Sequence, residues 1–498
     1  MRWWKECREC HAACQTRTES WLPTRLLDTD GPLKLVSTLE LAKHPPPPYI
    51  ALSHRWGSSP ENIFKLTSFN ETQLKSQVPL EELSQSFRDA IAFTQRIGVR
   101  YLWIDSLCIM QDSADDWQAE AATMSQVYKQ CTLNIAVNPV ESPGPGMFQV
   151  RSLDTRQCLS FHQRVISRKE SSDSYLLTLK RNLEIDCIER TLQRRAWVIQ
   201  ERFLSPRTVH FSDQLFWECR SSQASETFPL GIPRAEQRTH RKRGRVEASE
   251  KELYDLWHEI LSSYGASCLT FHSDRFVALG AIAKDFEQRL QTKYCAGLWM
   301  AKLPGSLLWS LKPPGNHFST RQAEYRCPTW SWASLDFPEG TSLWHDIARL
   351  YHLEGVMSLV QVIDVHIESP HGNHHTEIHS AAIILQGRTK LVTLDVLEGH
   401  DISNIWLLHE GYWLDLGPDA ANDGNTYILP VSVVPRKGGI VVCCLLLKGV
   451  KNDPDRFERI GVLKVKAGRS CPAELKWVIE MADTEDPLDK LPDRLTLI

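Results

Sequence analysis

The chain has 498 residues, with 57 Lys+Arg against 61 Asp+Glu, a formal net charge of -4 and 42% hydrophobic residues. That length excludes a single small module, and that composition excludes a disordered chain. The near-balanced charge excludes a molecule that grips nucleic acid or an anionic membrane through its total field.

The first residues, Met1-Arg-Trp-Trp-Lys-Glu-Cys7, carry no apolar h-region, so the expectation is a cytoplasmic protein. Its 14 cysteines then read as buried small hydrophobes, ligands or reactive thiols rather than as a disulfide framework. Cys7-Arg-Glu-Cys10-His11 fits the attachment pattern of a c-type haem, but attachment needs an export route that this start does not offer. Cys7, His11 and Cys14 fall on neighbouring helical turns, as zinc ligands would. No fourth ligand follows at finger spacing, so the expectation is a packed helix and no metal.

Leu22 to Asp28 reads as a strand, and Pro45 to Pro48 punctuate the chain. From Tyr49 the pattern alternates: a strand at Tyr49 to Ser53, a helix at Ser86 to Ile97 stopped by Gly98, and a strand at Arg100 to Ile109. A helix from Asp115 to Gln130 and a strand from Thr132 to Val137 follow. Such alternation predicts an α/β layer with parallel strands. The second helix is expected to open on Asp115 or Asp116 as N-cap and to bury Trp117, Ala121, Met124 and Tyr128 along one face.

A loop at Glu141 to Gly146 leads through mixed strands to Arg194-Arg195-Ala196-Trp197, and Thr208 to Phe211 with Gln214 to Cys219 reads as a hairpin. The basic run Arg234 to Arg245 reads as a solvated linker, with no nucleic-acid partner. Helices are expected at Leu253 to Tyr264 and Phe276 to Leu290. Beyond Pro328 the texture turns to β, with runs at Val360 to Ile367, Ala381 to Leu385, Ile405 to Leu408, Tyr427 to Val434, Ile440 to Leu447 and Ile460 to Val465. No apolar stretch approaches the roughly 20 residues that span a bilayer. The expected organisation is an N-terminal extension (1–48), an α/β domain (49–220), a helical connecting region (221–335) and a β-rich C-terminal domain (336–498).

Glu120 is the sharpest chemical oddity. With Trp117 at zero and about 100° per residue, Glu120 falls near 300°, between Val127 near 280° and Met124 near 340°, at the edge of the apolar stripe. A carboxylate there needs a partner, either an arginine such as Arg194 or Arg195 in a structural pair or a substrate in a catalytic site. Asp105 ends the strand Tyr101-Leu102-Trp103-Ile104, and ligands of open α/β sheets bind outside the carboxyl ends of strands. Ser53-His54-Arg55-Trp56-Gly57 follows the first strand at the same sheet edge. One crevice is therefore expected to hold Ser53, Arg55, Trp56, Asp105 and Glu120. Cys108 with His54 offers a thiol nucleophile and base, although the apolar surroundings of Cys108 favour a core residue. Histidines 371, 374, 375 and 379 are expected to face solvent, and no P-loop or Rossmann glycine fingerprint is present.

These same segments resemble the fungal heterokaryon-incompatibility (HET) domain. The carriers are Tyr49-Ile-Ala-Leu-Ser-His-Arg-Trp-Gly57, Phe87-Arg-Asp-Ala-Ile91 and Tyr101-Leu-Trp-Ile-Asp-Ser-Leu-Cys-Ile-Met-Gln-Asp112. Asp116-Trp117, Glu120, Met124, Val127-Tyr128 and Arg195-Ala-Trp-Val-Ile-Gln-Glu-Arg-Phe-Leu-Ser-Pro206 complete them. Cys7, His11 and Cys14 before Leu22-Pro-Thr-Arg25, Leu269-Thr270 with Ser273-Asp274-Arg275, and Pro328-Thr-Trp-Ser-Trp-Ala-Ser334 resemble the flanks of large proteins of that family. The chain departs from the family pattern at His54-Arg55, where Tyr-x precedes Trp-Gly, and at Ala196, where glycine is usual.

The resemblance implies a TIR-like, flavodoxin-like parallel sheet flanked by helices, and a role in programmed cell death triggered by non-self recognition. Some TIR domains cleave NAD with a glutamate on a helix that begins near a tryptophan; here Trp117 and Glu120 stand one residue closer than is usual. In that reading Glu120 is catalytic, Ser53, Arg55, Trp56 and Asp105 build the pocket, and NAD is a substrate rather than a bound cofactor. The alternative is a non-enzymatic module that kills by self-association or by recruiting another incompatibility protein, with Glu120 a buried acceptor. A thiol hydrolase using Cys108 ranks third.

Overall fold

The computed structural model describes residues 2–15, 21–41, 45–54, 63–137, 146–148, 159–164, 172–177, 195–212, 214–232, 248–265, 267, 269, 272–312, 319–321, 324–338, 340–344, 356–370, 373–392, 412–414, 426–436, 439–466, 475–482 and 493–498. The chain divides into two units, Met1–Ala248 and Ser249–Ile498.

In the first unit, helix α1 (Arg2–Cys10) precedes strands β1 (Arg25–Asp28), β2 (Lys34–Ser37) and β3 (Tyr49–Ser53). Helices α2 (Glu71–Ser76) and α3 (Gln85–Arg96) lead to β4 (Tyr101–Ile104), a helical turn α4 (Asp105–Cys108), the long helix α5 (Ala114–Gln130) and β5 (Leu133–Val137). A separate hairpin, β6 (Leu159–Arg164) with β7 (Ser172–Leu177), comes before helix α6 (Ala196–Leu204) and strands β8 (Arg207–Phe211), β9 (Leu215–Cys219) and β10 (Gln223–Ser225).

These strands, without the hairpin, form an 8-stranded sheet in the order β10-β9-β8-β5-β3-β4-β1-β2. The expected parallel layer is its centre: β3 runs parallel to β4 and β5, and β5 parallel to β8. Antiparallel strands finish both ends, so the whole sheet is mixed. The residues before Tyr49 are thus part of this sheet, through β1 and β2. All residues of β3, β4 and β5 are buried, as strands covered on both faces require.

Helix α3 follows its sequence: Ser84 accepts the Phe87 N–H as N-cap, Phe87, Ala90, Ile91 and Thr94 are buried, and Gly98 leaves the helix at φ 75°. Helix α5 departs from expectation at its start. Ser113, not Asp115 or Asp116, is the cap, accepting from the Asp116 N–H. Trp117 is 47% exposed, and the buried positions are Glu120, Val127, Tyr128 and Gln130. The inward face therefore lies about 60° from the one centred on Trp117, because a paired Glu120 takes the place expected for an aromatic ring. The strand expected to run to Ile109 stops at Ile104, where Asp105 turns the chain into α4.

The second unit carries helices Glu250–Gly265 and Val277–Leu290 and a β-rich remainder. Its 9-stranded sheet includes Gln361–Glu368, Ser380–Gly387, Thr426–Arg436, Gly439–Val450 and Asp453–Lys466, each covering an expected run or most of it. The run at Ile405 to Leu408 lies outside the described residues, as do the loop from Glu141 to Pro145 and the basic segment Arg234 to Arg245. An aromatic cluster anchors this unit: Trp257 meets Trp299 at 5.0 Å and Phe286 at 5.3 Å. The buried Arg459 guanidinium stacks 3.4 Å over the Trp309 ring and donates to the carbonyls of Leu307 and Trp309. Among the described residues, no helix is long and apolar enough to cross a membrane.

Candidate functional site

The carboxyl ends of β3, β4 and β5 lie side by side because Leu52 pairs with Ile104 and Ser53 with Ala136. The switch point of the sheet is here: after β3 the chain adds β4 on one side, then crosses to add β5 on the other. Ser53 Oγ donates to Asn134 Oδ1 at 3.1 Å. His54 follows directly, with Nδ1 3.6 Å from Asp105 Oδ1 and its ring edge-on to Phe87. Arg195 donates to the His54 carbonyl at 3.0 Å. Ser53 and Asp105 are thus brought to one edge, as their positions imply, while Arg55 and Trp56 lie outside the described residues.

The carboxylate that completes this edge is Glu201 on α6. Burial pushes its carboxyl up to about 7; the Ser53 hydroxyl, the Arg195 charge and the Tyr128 hydroxyl favour ionisation, and the Asp105 charge opposes it. Tyr128 is driven well above its ordinary value, by burial first and then by the Glu201 and Asp105 charges. Glu201 Oε2, Asn134 Nδ2 and both His54 ring nitrogens are buried without a hydrogen-bond partner. Unmatched polar atoms converging on one strand edge are capacity for a polar ligand or an ordered water. Glu201 had a sequence signal: it stands three residues from both Val198 and Leu204, two buried apolar positions, so the helical-face argument that singles out Glu120 applies to it equally.

Glu120 is buried as expected, but the cation beside it is Arg25 rather than Arg195. Arg25 Nη1 lies 3.8 Å from Glu120 Oε1, and the guanidinium is bidentate on Asp116 and donates to the Cys108 carbonyl at 2.8 Å. Burial raises the Glu120 carboxyl, with Thr24 and Arg25 pulling it down and Asp116 pushing it up. Arg195 serves His54 instead, and Arg194 is outside the described residues. Arg25 was out of reach of sequence reasoning because β1 joins the sheet beside β4, far along the chain from α5.

The thiol hydrolase loses support here. Burial pushes the Cys108 thiol up to about 12, leaving it protonated and a poor nucleophile near neutral pH. Burial also lowers His54, against the Asp105 charge, which favours neutral imidazole. In the second unit, His375 is not solvent-facing: it is buried, stacks on Tyr294 and meets Glu287 at 2.9 Å, with His374 beside it. His379 is exposed, and His371 lies outside the described residues.

A family model described as "Heterokaryon incompatibility protein (HET)" matches residues 49–201, which begin at β3 and end on Glu201. No curated protein and no solved structure matches the chain.

Two outcomes follow from these pairs. Arg25→Ala leaves Asp116, Glu120 and the Cys108 carbonyl without their shared donor and should cost about 3 kcal/mol, read by denaturant unfolding. Folded Glu201 keeps its proton up to about 7, against an ordinary 4.5, so over that window the folded chain holds more protons and stability falls as pH rises. Glu201→Gln should therefore gain in melting temperature relative to wild type as pH goes from about 5 to about 8, equivalent to at most about 3 kcal/mol. A difference that stays flat across that range would refute the raised carboxyl.

Proposed function

We propose, on the premise that the chain carries a HET domain over residues 49–201, that it is an effector of programmed cell death in fungal non-self recognition. The match itself supports a heterokaryon-incompatibility-related role. The finer reading is that the strand edge acts on NAD in the manner of a TIR domain. In chain order the parallel strands stand second, first, third, fourth across the sheet, which is the arrangement of flavodoxin-like folds and favours the TIR-like reading.

The observation that carries this reading is Glu201, a buried carboxyl set beside Ser53 at the switch point, which burial pushes up to about 7. A group poised there suits general acid-base work. In NAD hydrolysis the bond between the nicotinamide nitrogen and ribose C1′ breaks, and water forms the new C1′–O bond. Nicotinamide leaves neutral with the bonding electron pair, and the water loses one proton. Glu201 accepts that proton and as a carboxylate stabilises the oxocarbenium-like ribose. In this reading Ser53 and Asp105 orient the ribose hydroxyls. A second reading, a non-enzymatic module that acts by self-association or by recruiting another incompatibility protein, is favoured by the Glu120–Arg25 pair, since it treats Glu120 as a structural acceptor.

The test is nicotinamide release from NAD by the full chain at high protein concentration, for wild type, Glu201→Gln and Glu120→Gln, with circular dichroism confirming fold. Expected are turnover by wild type, a loss of about 100-fold or more in Glu201→Gln, and a lower melting temperature with retained turnover in Glu120→Gln. Activity lost only in a folded Glu120→Gln would place the chemistry on α5 instead. No release by wild type would favour the non-enzymatic reading.

A further inference from the structure

Outside that edge, the first unit gathers a second set of chemical groups. Cys7 lies on the last turns of α1, His11 follows it, and Cys14 ends the short turn Ala12–Cys14. Cys219 ends β9, 208 positions from His11 in sequence. Folding brings together the three Sγ atoms and one imidazole nitrogen, all within 4.8 Å of one another. Cys219 Sγ lies 3.4 Å from His11 Nδ1. The three cysteines are free thiols, so no disulfide accounts for the gathering.

From these distances we propose that Cys7, His11, Cys14 and Cys219 form a structural zinc site. Bond lengths of about 2.3 Å to sulfur and about 2.0–2.1 Å to nitrogen put the edges of a tetrahedral Cys3His site at about 3.8 Å between sulfurs and about 3.6 Å from sulfur to nitrogen. The 3.4 Å Cys219–His11 spacing is close to such an edge, and every other pair lies within 4.8 Å, so closing on a metal needs shifts of about 1 Å at most. The fourth ligand that no finger spacing supplied comes instead from the far end of the sheet.

The surroundings match the charge of such a centre. Three thiolates around a dication leave one net negative charge, and Arg207, paired across the strands with Cys219, donates Nε to Cys7 Sγ at 3.1 Å. The Ser222 N–H donates to Cys219 Sγ at 3.3 Å, and the Ser222 hydroxyl lies 3.4 Å from that sulfur. Donors aimed at sulfur from outside the ligand set orient and stabilise thiolates. With four protein ligands no coordination position remains for substrate, so the metal would be structural, tying α1 to the β9–β10 edge of the sheet.

The experiment is metal analysis of the full chain, purified without chelator and without a polyhistidine tag, as wild type, Cys219→Ser and Cys10→Ser. Cys10 is exposed and outside the set. Expected is about one zinc per chain in wild type and Cys10→Ser and loss of it in Cys219→Ser. Replacing zinc by cobalt(II) in wild type should give the visible bands of tetrahedral cobalt and a thiolate charge-transfer band. Should Cys219→Ser not fold, alkylation mapping of wild type decides: Cys7, Cys14 and Cys219 become reactive together only after chelation, while Cys10 reacts throughout. The proposal fails if reduced wild type binds neither zinc nor cobalt, if cobalt gives an octahedral spectrum, if folded Cys219→Ser keeps its zinc, or if chelation leaves those three thiols unchanged.

Discussion

Strand β3 is hydrogen-bonded on both sides, with Ile50 opposite Leu102 on β4 and Leu133 on β5, and each of its residues is buried. The polar edge of the first unit depends on this placement. A central strand buried on both faces has no freedom to slide, since a one-residue slip would reverse every side chain. Ser53 and His54 therefore leave the sheet at a fixed height, level with Asp105 after β4. Helix α6 then delivers Glu201 to the same place, and an α/β sheet of this order has its open crevice there.

Two buried glutamates illustrate how environment assigns chemical character. Glu120 has a guanidinium nearby, shared with Asp116 and the Cys108 carbonyl, which fastens β1 to α4 and α5. Glu201 has the Ser53 and Tyr128 hydroxyls and the Arg195 charge around it, and burial pushes its carboxyl up to about 7. Burial raises both carboxyls, and what differs between them is the partner: a guanidinium shared with Asp116 beside Glu120, and the hydroxyls of Ser53 and Tyr128 beside Glu201.

In the second unit the stabilising chemistry is of another kind. Its tryptophans are packed against one another and against a guanidinium, which satisfies inward-facing carbonyls while covering the Trp309 ring. Extended antiparallel strands with buried branched side chains account for the rest of its core. This is mainly packing, and the acid-base groups gathered in it, Glu287 with His374 and His375, join a helix to a turn rather than lying at the end of parallel strands.

Local pattern determined much of this protein. The period-2 and 3.6 repeats located β3, α3, α5, β5 and the long C-terminal strands, since burial of one face leaves its rhythm in the residues. Ser53 and Asp105 were legible for the same reason, as polar residues placed where strands end, and the HET resemblance rested on these same segments. What tertiary structure alone decided are the partners: Arg25 for Glu120, Glu201 beside Ser53, and Cys219 beside Cys7, His11 and Cys14. Those pairs join residues far apart in sequence, and no periodicity encodes which strand will lie next to which. The inward face of α5 turned on the same point, because a carboxylate becomes tolerable inside only once a cation from another strand is there to meet it.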